Sequence, residues 1–539
     1  MYMRKKRWLA LGLMLLLVLS TALAACSSDE KDDVKGDDKG GGEKKEKTLV
    51  FGRGGDSVSL DPIATTEGET YKVTENLYEK LINFGEQDTT LNPGLAKSWE
   101  AAKDGLSYTF DLQEGVKFHD GTDFNADAVV KNFERWMNGD AEKFPYFKSV
   151  FGGFKDDKSL VIKSVKADGD LKVVITLKQP QAPFLKNLAM SPFAIASPTA
   201  FEKFGDKFGE NPVGTGPFKF VSWKRNDSIT IEKNPDYWQE GLPKLDKVVF
   251  RSMPDNSARL NALTTGEIDL ADGISPSDAA SIEGNADLQL LKRPSMNIGY
   301  LGLTVTRPPF DNVKVRQAMN YAIDKQAIVD AFFEGQAEVA KNQMPPVIGG
   351  YNDDVKGYEY DPEKAKALLK EAGYDGKQIE LWAMPVPRPY MPDGQKIAEA
   401  IQKNLADVGM KSKIVSYEWG VYLDKAEKGE ADAFLLGWTG DNGDADNFLY
   451  ALLDEDSIGS NNYSYYKNSK THKLLIEAQT EVDEEKRNAI YKEVQEIFNE
   501  EAPWVPLAHS TPLLASKSDV INLLPHPTGS DRLEKVDFK

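Results

Sequence analysis

Between residue 48 and about residue 300, apolar positions fall in short runs that are β-branched, aromatic or alternating: "TLVFGR", "SYTFDL", "LKVVITL", "SITIEK" and "KVVFRSM". Turn clusters such as "KDG", "KADGD" and "NPDYW" cut them apart, so this stretch predicts strands in a mixed α+β region. From 300 to 510 the spacing lengthens. "DPEKAKALLKEAGY" carries Asp361 at an N-cap position, Pro362 at the first helical position and Gly373 as a stop. "GQKIAEAIQKNLADVG" places Ile397, Ile401, Leu405 and Val408 on one helical face. "IELWAM", "KIVSYEW" and "AFLLGW" read as strands, with a helix over "GVYLDKAEKGE". This strand–helix alternation predicts a parallel sheet in an α/β domain. The sequence contains no convincing internal repeat.

That order puts three conspicuous side chains in equivalent places. Arg388 follows the first strand, Trp419 ends the second and Asp441 follows the third. Ligands of parallel α/β sheets bind outside the carboxyl ends of the strands, so the three are expected to line one mouth.

Length and composition narrow the class. The 539 residues exceed what one core holds, so two or three domains are expected. A net charge of −19 argues against nucleic acid as a partner. The N-terminus pairs a basic "MYMRKKR" with the apolar "WLALGLMLLLVLSTALAA", the layout of a secretory signal over residues 1–25. Cleavage before Cys26 would remove Arg4, Lys5, Lys6 and Arg7 and leave a still more acidic chain. Cys26 is the only cysteine, which excludes an internal disulfide and a zinc–thiolate site. "LAAC" resembles the bacterial lipobox, in which that cysteine is diacylated. Residues 26–47, charged, glycine-rich and nearly devoid of apolar residues, read as a flexible tether.

The loop "GWTGDNGDADNF" (437–448) masses carboxylates after a buried strand. It does not fit an EF-hand calcium loop. Counted from Asp441, the third and fifth positions are Gly443 and Ala445; counted from Asn442, the sixth and twelfth are Asn447 and Leu453. Asp444 or Asp446 is expected to cap the helix "NFLYALL". Asp441 has no helix of its own and suits a cation. Arg388, stiffened by Pro387 and Pro389, suits a carboxylate that its planar fork can grip. Two readings stay open on the residues alone: the pair neutralise each other, or they hold the two ends of a zwitterion such as a short peptide, with Trp419 as an apolar wall.

Three longer segments carry a resemblance: "LNPGLAKSWEAAKDGLSYTFDLQEGVKFHDGTDFNADAVV" (91–130), "NPVGTGPFKFVSWKRNDSITIEKNPDYW" (211–238) and "NVKVRQAMNYAIDKQAI" (312–328). Together they resemble the family 5 extracytoplasmic solute-binding proteins of bacterial ABC transporters. "PVPRPY", "YEWG" and "GWTGDNGDADNF" resemble the dipeptide-binding branch. The resemblance implies a two-lobed α/β periplasmic-binding-protein fold (type II, cluster C), with an extra subdomain in lobe I and two hinge crossovers. The implied layout is lobe I over 48–90, 213–298 and 512–539, the extra subdomain over 91–212, and lobe II over 299–511. It further implies that Arg388, beside Pro389 and Tyr390, holds a peptide α-carboxylate. Asp441, in the turn with Trp438, Thr439 and Gly440, receives the α-ammonium, and Trp419 walls the pocket. Thr66, aligned through "LDPIATTEGETY", meets the ligand from the opposite lobe.

The function so implied is hinge-closing capture of dipeptides by a lipid-anchored, monomeric protein on the outer face of the cytoplasmic membrane. It delivers its cargo to ABC permease subunits, with no cofactor, metal or catalysis. Oligopeptide, glutathione, haem or a nickel chelate remain rival cargoes. His119, His472, His509 and His526 are too scattered for a histidine metal cluster. A hydrolase is the rival of another class, but the chain lacks a G-x-S-x-G elbow and an H-E-x-x-H motif.

Overall fold

The computed structural model describes residues 46–539, so the expected signal segment, Cys26 and nearly all of the tether lie outside the described residues. Two large mixed sheets organise the chain. The first has seven strands, ordered Leu288–Lys292, Leu513–Lys517, Leu270–Ile274, Thr48–Arg53, Lys247–Ser252, Ser228–Lys233 and Phe218–Lys224. Thr48–Arg53 runs parallel to both of its neighbours, and the remaining pairings are antiparallel. Its core gathers Leu49, Phe51 and Phe250, apolar positions of runs that announced strands, with Leu270 and Leu514 from two strands that the pattern did not single out.

The second sheet has six strands, ordered Ala337–Val339, Trp504–Ser510, Asn297–Leu303, Ala433–Thr439, Ile379–Trp382 and Ser412–Val415. The last three pair in parallel as the alternation predicts, while Asn297–Leu303 is antiparallel to both of its neighbours. Every residue of "NIGYLGL" and "WVPLAHS" is buried, as a continuous apolar run with both faces covered requires. Pro506 interrupts the second of these runs, and it sits beside a break in register. There the missing N–H costs no regular ladder bond. A four-stranded antiparallel sheet with its own core (Phe110, Phe133, Trp136, Phe151, Ile175) completes the mixed α/β, two-lobed architecture.

The chain passes between the large sheets twice, at residues 293–296 and 511–512. The two passages are stitched together. Arg293 N donates to Pro512 O at 2.9 Å. Asn297 Oδ1 accepts from Ser510 N and from Ser510 Oγ, both at 3.0 Å, and Asn297 Nδ2 donates to Ser510 O at 2.8 Å. The buried Arg293 fork reaches both oxygens of Asp531, at 2.6 and 2.9 Å.

Helix punctuation follows the sequence at Pro362–Glu371, where the Asp361 side chain accepts from Lys364 N, and at Gly394–Asp407, whose buried face holds Ile397, Ile401 and Leu405. Two expectations need correction. Trp419 does not end a strand: that strand stops at Val415, and Trp419 opens the helix Trp419–Glu427. The Glu418 side chain accepts from Gly420 N and Val421 N, capping a helix where the apolar pattern suggested continued extension. Nor does an Asp cap Asp446–Leu453 in the ordinary way. Its N-cap is Ala445, without a side-chain bond, and Asp446 is its first residue. Asp444 accepts from Asp446 N at 3.0 Å, but its main engagement is with Arg487.

Candidate ligand-binding site

The buried strand Ala433–Thr439 delivers the carboxylate loop to the rim of the second sheet. Asn447, on the helix that follows, holds the turn by its amide. Its Oδ1 accepts from Asp441 N at 2.9 Å and from Trp438 Nε1 at 3.1 Å, while its Nδ2 donates to Asp441 Oδ2 at 3.1 Å. Thr439 pairs with Asn297 at the first passage between lobes, and Gly440 N donates to Met296 O at 2.8 Å. Asp441 is thus fixed at the junction of the lobes by its own turn.

Its electrostatics are unusual. Burial pushes the Asp441 carboxyl up to about 6, against hydrogen bonds from Asn447 and the Tyr146 hydroxyl that favour the charged form. Among the described residues no cation pairs with it. Of the other two acids of the loop, Asp444 is paired with a cation, whereas Asp446 is not and keeps a buried Oδ1 without a partner. Arg487 grips Asp444 with two 2.7 Å bonds and, despite burial, holds its carboxyl below the usual range. Burial and the neighbouring Asp444 push Asp446 up to about 7, with Gln479 donating to its Oδ2 at 3.2 Å. Of the three acids, Asp441 is the one that lines a cavity.

Asp441 lines a small cavity of about 40 Å³, room for a few water-sized groups. The opposite wall comes from distant parts of the chain, including Tyr71, Lys80, Tyr146, His526 and Arg532. The loop also touches that wall directly. Lys186 Nζ donates to Gly443 O at 2.7 Å, and Asn442 Nδ2 to Asn187 Oδ1 at 2.8 Å. Gly443, at φ +64°, comes so near Thr89 that a Cβ would lie 1.9 Å from its Oγ1. The lobes therefore meet at this loop.

Arg388 lies in the turn after Ile379–Trp382, closed by Arg388 N to Met391 O at 3.1 Å and Met391 N to Arg388 O at 2.9 Å. Its side chain is exposed, with the guanidinium carbon 5.8 Å from the centre of the Trp419 ring. No ion pair joins it to Asp441 or to any other described acid, so the two charges do not neutralise each other. Arg388 and Trp419 share one surface, but neither lines the Asp441 cavity. Tyr390 ties the two places together. Its ring lies over Gly437, where a Cβ would sit 2.2 Å away, so the arginine turn rests on the strand that ends at Asp441. Pro389 is exposed; Trp438 and Thr439 are half-buried, and Gly440 is buried. Thr66 is exposed just before the helix Gly68–Thr74, whose Tyr71 does reach the cavity.

Tyr146 and Arg532 escape sequence reasoning because they stand in no quoted motif; Tyr71 ends the segment "LDPIATTEGETY", but only the fold brings it to the cavity. Asn447 was findable: it lies inside the acidic loop, six residues after Asp441. Asp454, Asp456 and His472 bring ligand atoms within 4.8 Å of one another, but His472 Nδ1 already bonds Asp454 at 3.0 Å and none of the three lines the cavity. Among the described residues no helix is long and apolar enough to cross a membrane.

The family model for bacterial extracellular solute-binding proteins, family 5 Middle, matches residues 90–460. The dipeptide-binding protein of Escherichia coli (strain K12) is 40% identical over 511 residues, covering 92% of this chain and 95% of that one. The structure of a dipeptide binding protein from Pseudoalteromonas sp. SM9913 in complex with Met-Leu aligns with TM-score 0.82 and 31% identity, over 91% of this chain and 100% of the other. The ABC transporter-associated periplasmic binding protein DppA from Helicobacter pylori, in complex with the peptide STSA, aligns with TM-score 0.80 and 37% identity, over 91% and 98%.

Proposed function

The chain belongs to the family 5 bacterial extracellular solute-binding proteins, and from that premise we propose that it captures dipeptides for an ABC importer. The observation that carries this reading is Asp441: a desolvated carboxylate, clamped in place, lining a cavity and paired with no cation among the described residues. A peptide α-ammonium supplies the missing charge. Arg388 takes the α-carboxylate in its fork, Trp419 offers an apolar wall beside it, and Pro389 and Tyr390 keep the turn stiff. Trp438, Thr439 and Gly440 form the strand end that presents Asp441, and Thr66 approaches from the facing lobe.

Charges at both ends read the length of the cargo, and hydration in the cavity tolerates varied side chains. A ligand that contacts both lobes stabilises the closed arrangement over the open one, and the paired passages at 293–296 and 511–512 serve as the hinge. Closed, the protein docks on permease subunits as a monomer. The Cys26 lipid anchor and the tether to residue 47 hold it outside the cytoplasmic membrane; two acyl chains, at about 0.8 kcal/mol per buried methylene, retain it there. The role is binding for transport, not catalysis.

The test is calorimetry with Ala-Ala, N-acetyl-Ala-Ala and Ala-Ala amide, followed by mass spectrometry of the recovered peptide. Free dipeptide is expected to bind and return intact, and each capped form to lose at least about tenfold in affinity. Equal binding of all three, or hydrolysis of the dipeptide, contradicts the proposal.

The Asp441 carboxyl adds a proton signature. Its folded value near 6 lies above the ordinary 3.8, so the empty protein holds this proton more tightly than the unfolded chain does. The empty protein therefore loses stability from this group as pH rises from about 4 to about 6. An ammonium on Asp441 reverses the shift. At pH 6, binding should release about half a proton per peptide, measurable by titration in buffers of different ionisation enthalpy. Proton uptake, or none, would contradict the assignment.

A further inference from the structure

The cavity beside Asp441 has a charge inventory that the capture of a neutral dipeptide does not use. Lys80 and Glu75 line it as an ion pair, with Ser191 Oγ donating to the second Glu75 oxygen at 2.9 Å, so they cancel. His526 is neutral: burial pushes its imidazole down to about 4, its Nε2 lies 3.0 Å from Asp88 O, and its Nδ1 lies 2.7 Å from Thr528 Oγ1. Arg532 also lines the cavity and is half-buried. It makes no ion pair or side-chain hydrogen bond among the described residues. The nearby acids are committed elsewhere: Glu86 to Lys535, and Glu79 to Thr215, Tyr237 and Trp238. One unpaired anion and one unpaired cation therefore line the same cavity.

Arg388 and Trp419 are absent from that lining, so the cargo atoms that fill this cavity are those attached near the ammonium: the side chain of the first residue. We infer that Arg532 determines specificity, gripping a carboxylate on the first side chain of the cargo, so that the preferred peptides begin with an acidic residue. This rests on the ammonium of the cargo being held by Asp441. A half-buried guanidinium facing a cavity has lost part of its hydration and is left unsatisfied by a neutral amide of the same shape. Discrimination between acid and amide is then large, because the amide leaves a charged group unpaired.

Calorimetry of the native chain with Glu-Ala, Gln-Ala and Ala-Ala tests this. Glu-Ala is expected to bind about tenfold or more tightly than Gln-Ala. In Arg532→Met that ratio should fall to near one, and in Arg532→Lys, which keeps the charge without the fork, to an intermediate value. Equal affinities for Glu-Ala and Gln-Ala in the native chain, with Ala-Ala binding intact, overturn the role of Arg532 and leave dipeptide capture standing. Absence of binding by all three overturns both. A tenfold ratio that persists in Arg532→Met and Arg532→Lys removes the assignment from this residue.

Discussion

Asp441→Asn will bind Ala-Ala at least roughly a hundredfold more weakly than the native chain, a loss of about 3 kcal/mol. The substitution keeps the shape of the side chain and leaves Asn447 an oxygen to bond, so the turn itself should survive. What disappears is the negative charge. The ammonium of the peptide would enter a desolvated site without a counter-ion, and that uncompensated burial accounts for most of the loss. The empty variant should be no less stable than the native protein at pH 7, because the native carboxylate is held charged against burial. The proton release at pH 6 should vanish with it. Calorimetry and urea unfolding of one preparation measure both effects. Native affinity in the variant, or weak affinity accompanied by equal loss of stability, would show that Asp441 serves the fold and not the ligand.

The second large effect concerns the hinge. Arg293→Met should destabilise the protein by about 3–5 kcal/mol, because it strands Asp531, almost fully buried, without its partner. Removing both charges, as Arg293→Met with Asp531→Leu, should recover much of that loss, since the cost lies in the orphaned ion. Urea unfolding of the two single variants and the double variant closes the cycle. Additive losses would mean that the pair is not coupled. Arg293 begins the first passage between the lobes, and its backbone N–H bonds the second at Pro512 O, a bond that these side-chain substitutions leave in place.

Local rules made much of this molecule legible. Asp361 and Pro362 punctuate a helix by side-chain chemistry that needs no tertiary context, and the alternation in "SYTFDL" reappears as alternating burial in its strand. Asp441 could be singled out because the motif around it left it without a capping duty. Position relative to an element end was harder to read. Trp419 looked like a strand terminus because aromatic and β-branched residues extend the pattern, but Glu418 caps a helix that competes for the same segment. Asp444 looked like a cap because its true partner, Arg487, lies 43 residues away. Arg532 and Tyr146 were beyond reach for a related reason: their meaning lies in which charges around them are already paired, and only assembled side chains reveal that.

The strand order of the first sheet also constrains the order in which the chain matures. Leu288–Lys292 has one neighbour in that sheet, Leu513–Lys517, which also flanks Leu270–Ile274. While the chain is being made, this edge waits for a segment more than two hundred residues downstream. The six-stranded sheet, whose strands all lie between Asn297 and Ser510, finishes first. Until then an unpaired β-edge is open to wrong partners, so mispairing and aggregation are the hazards of the unfinished first sheet.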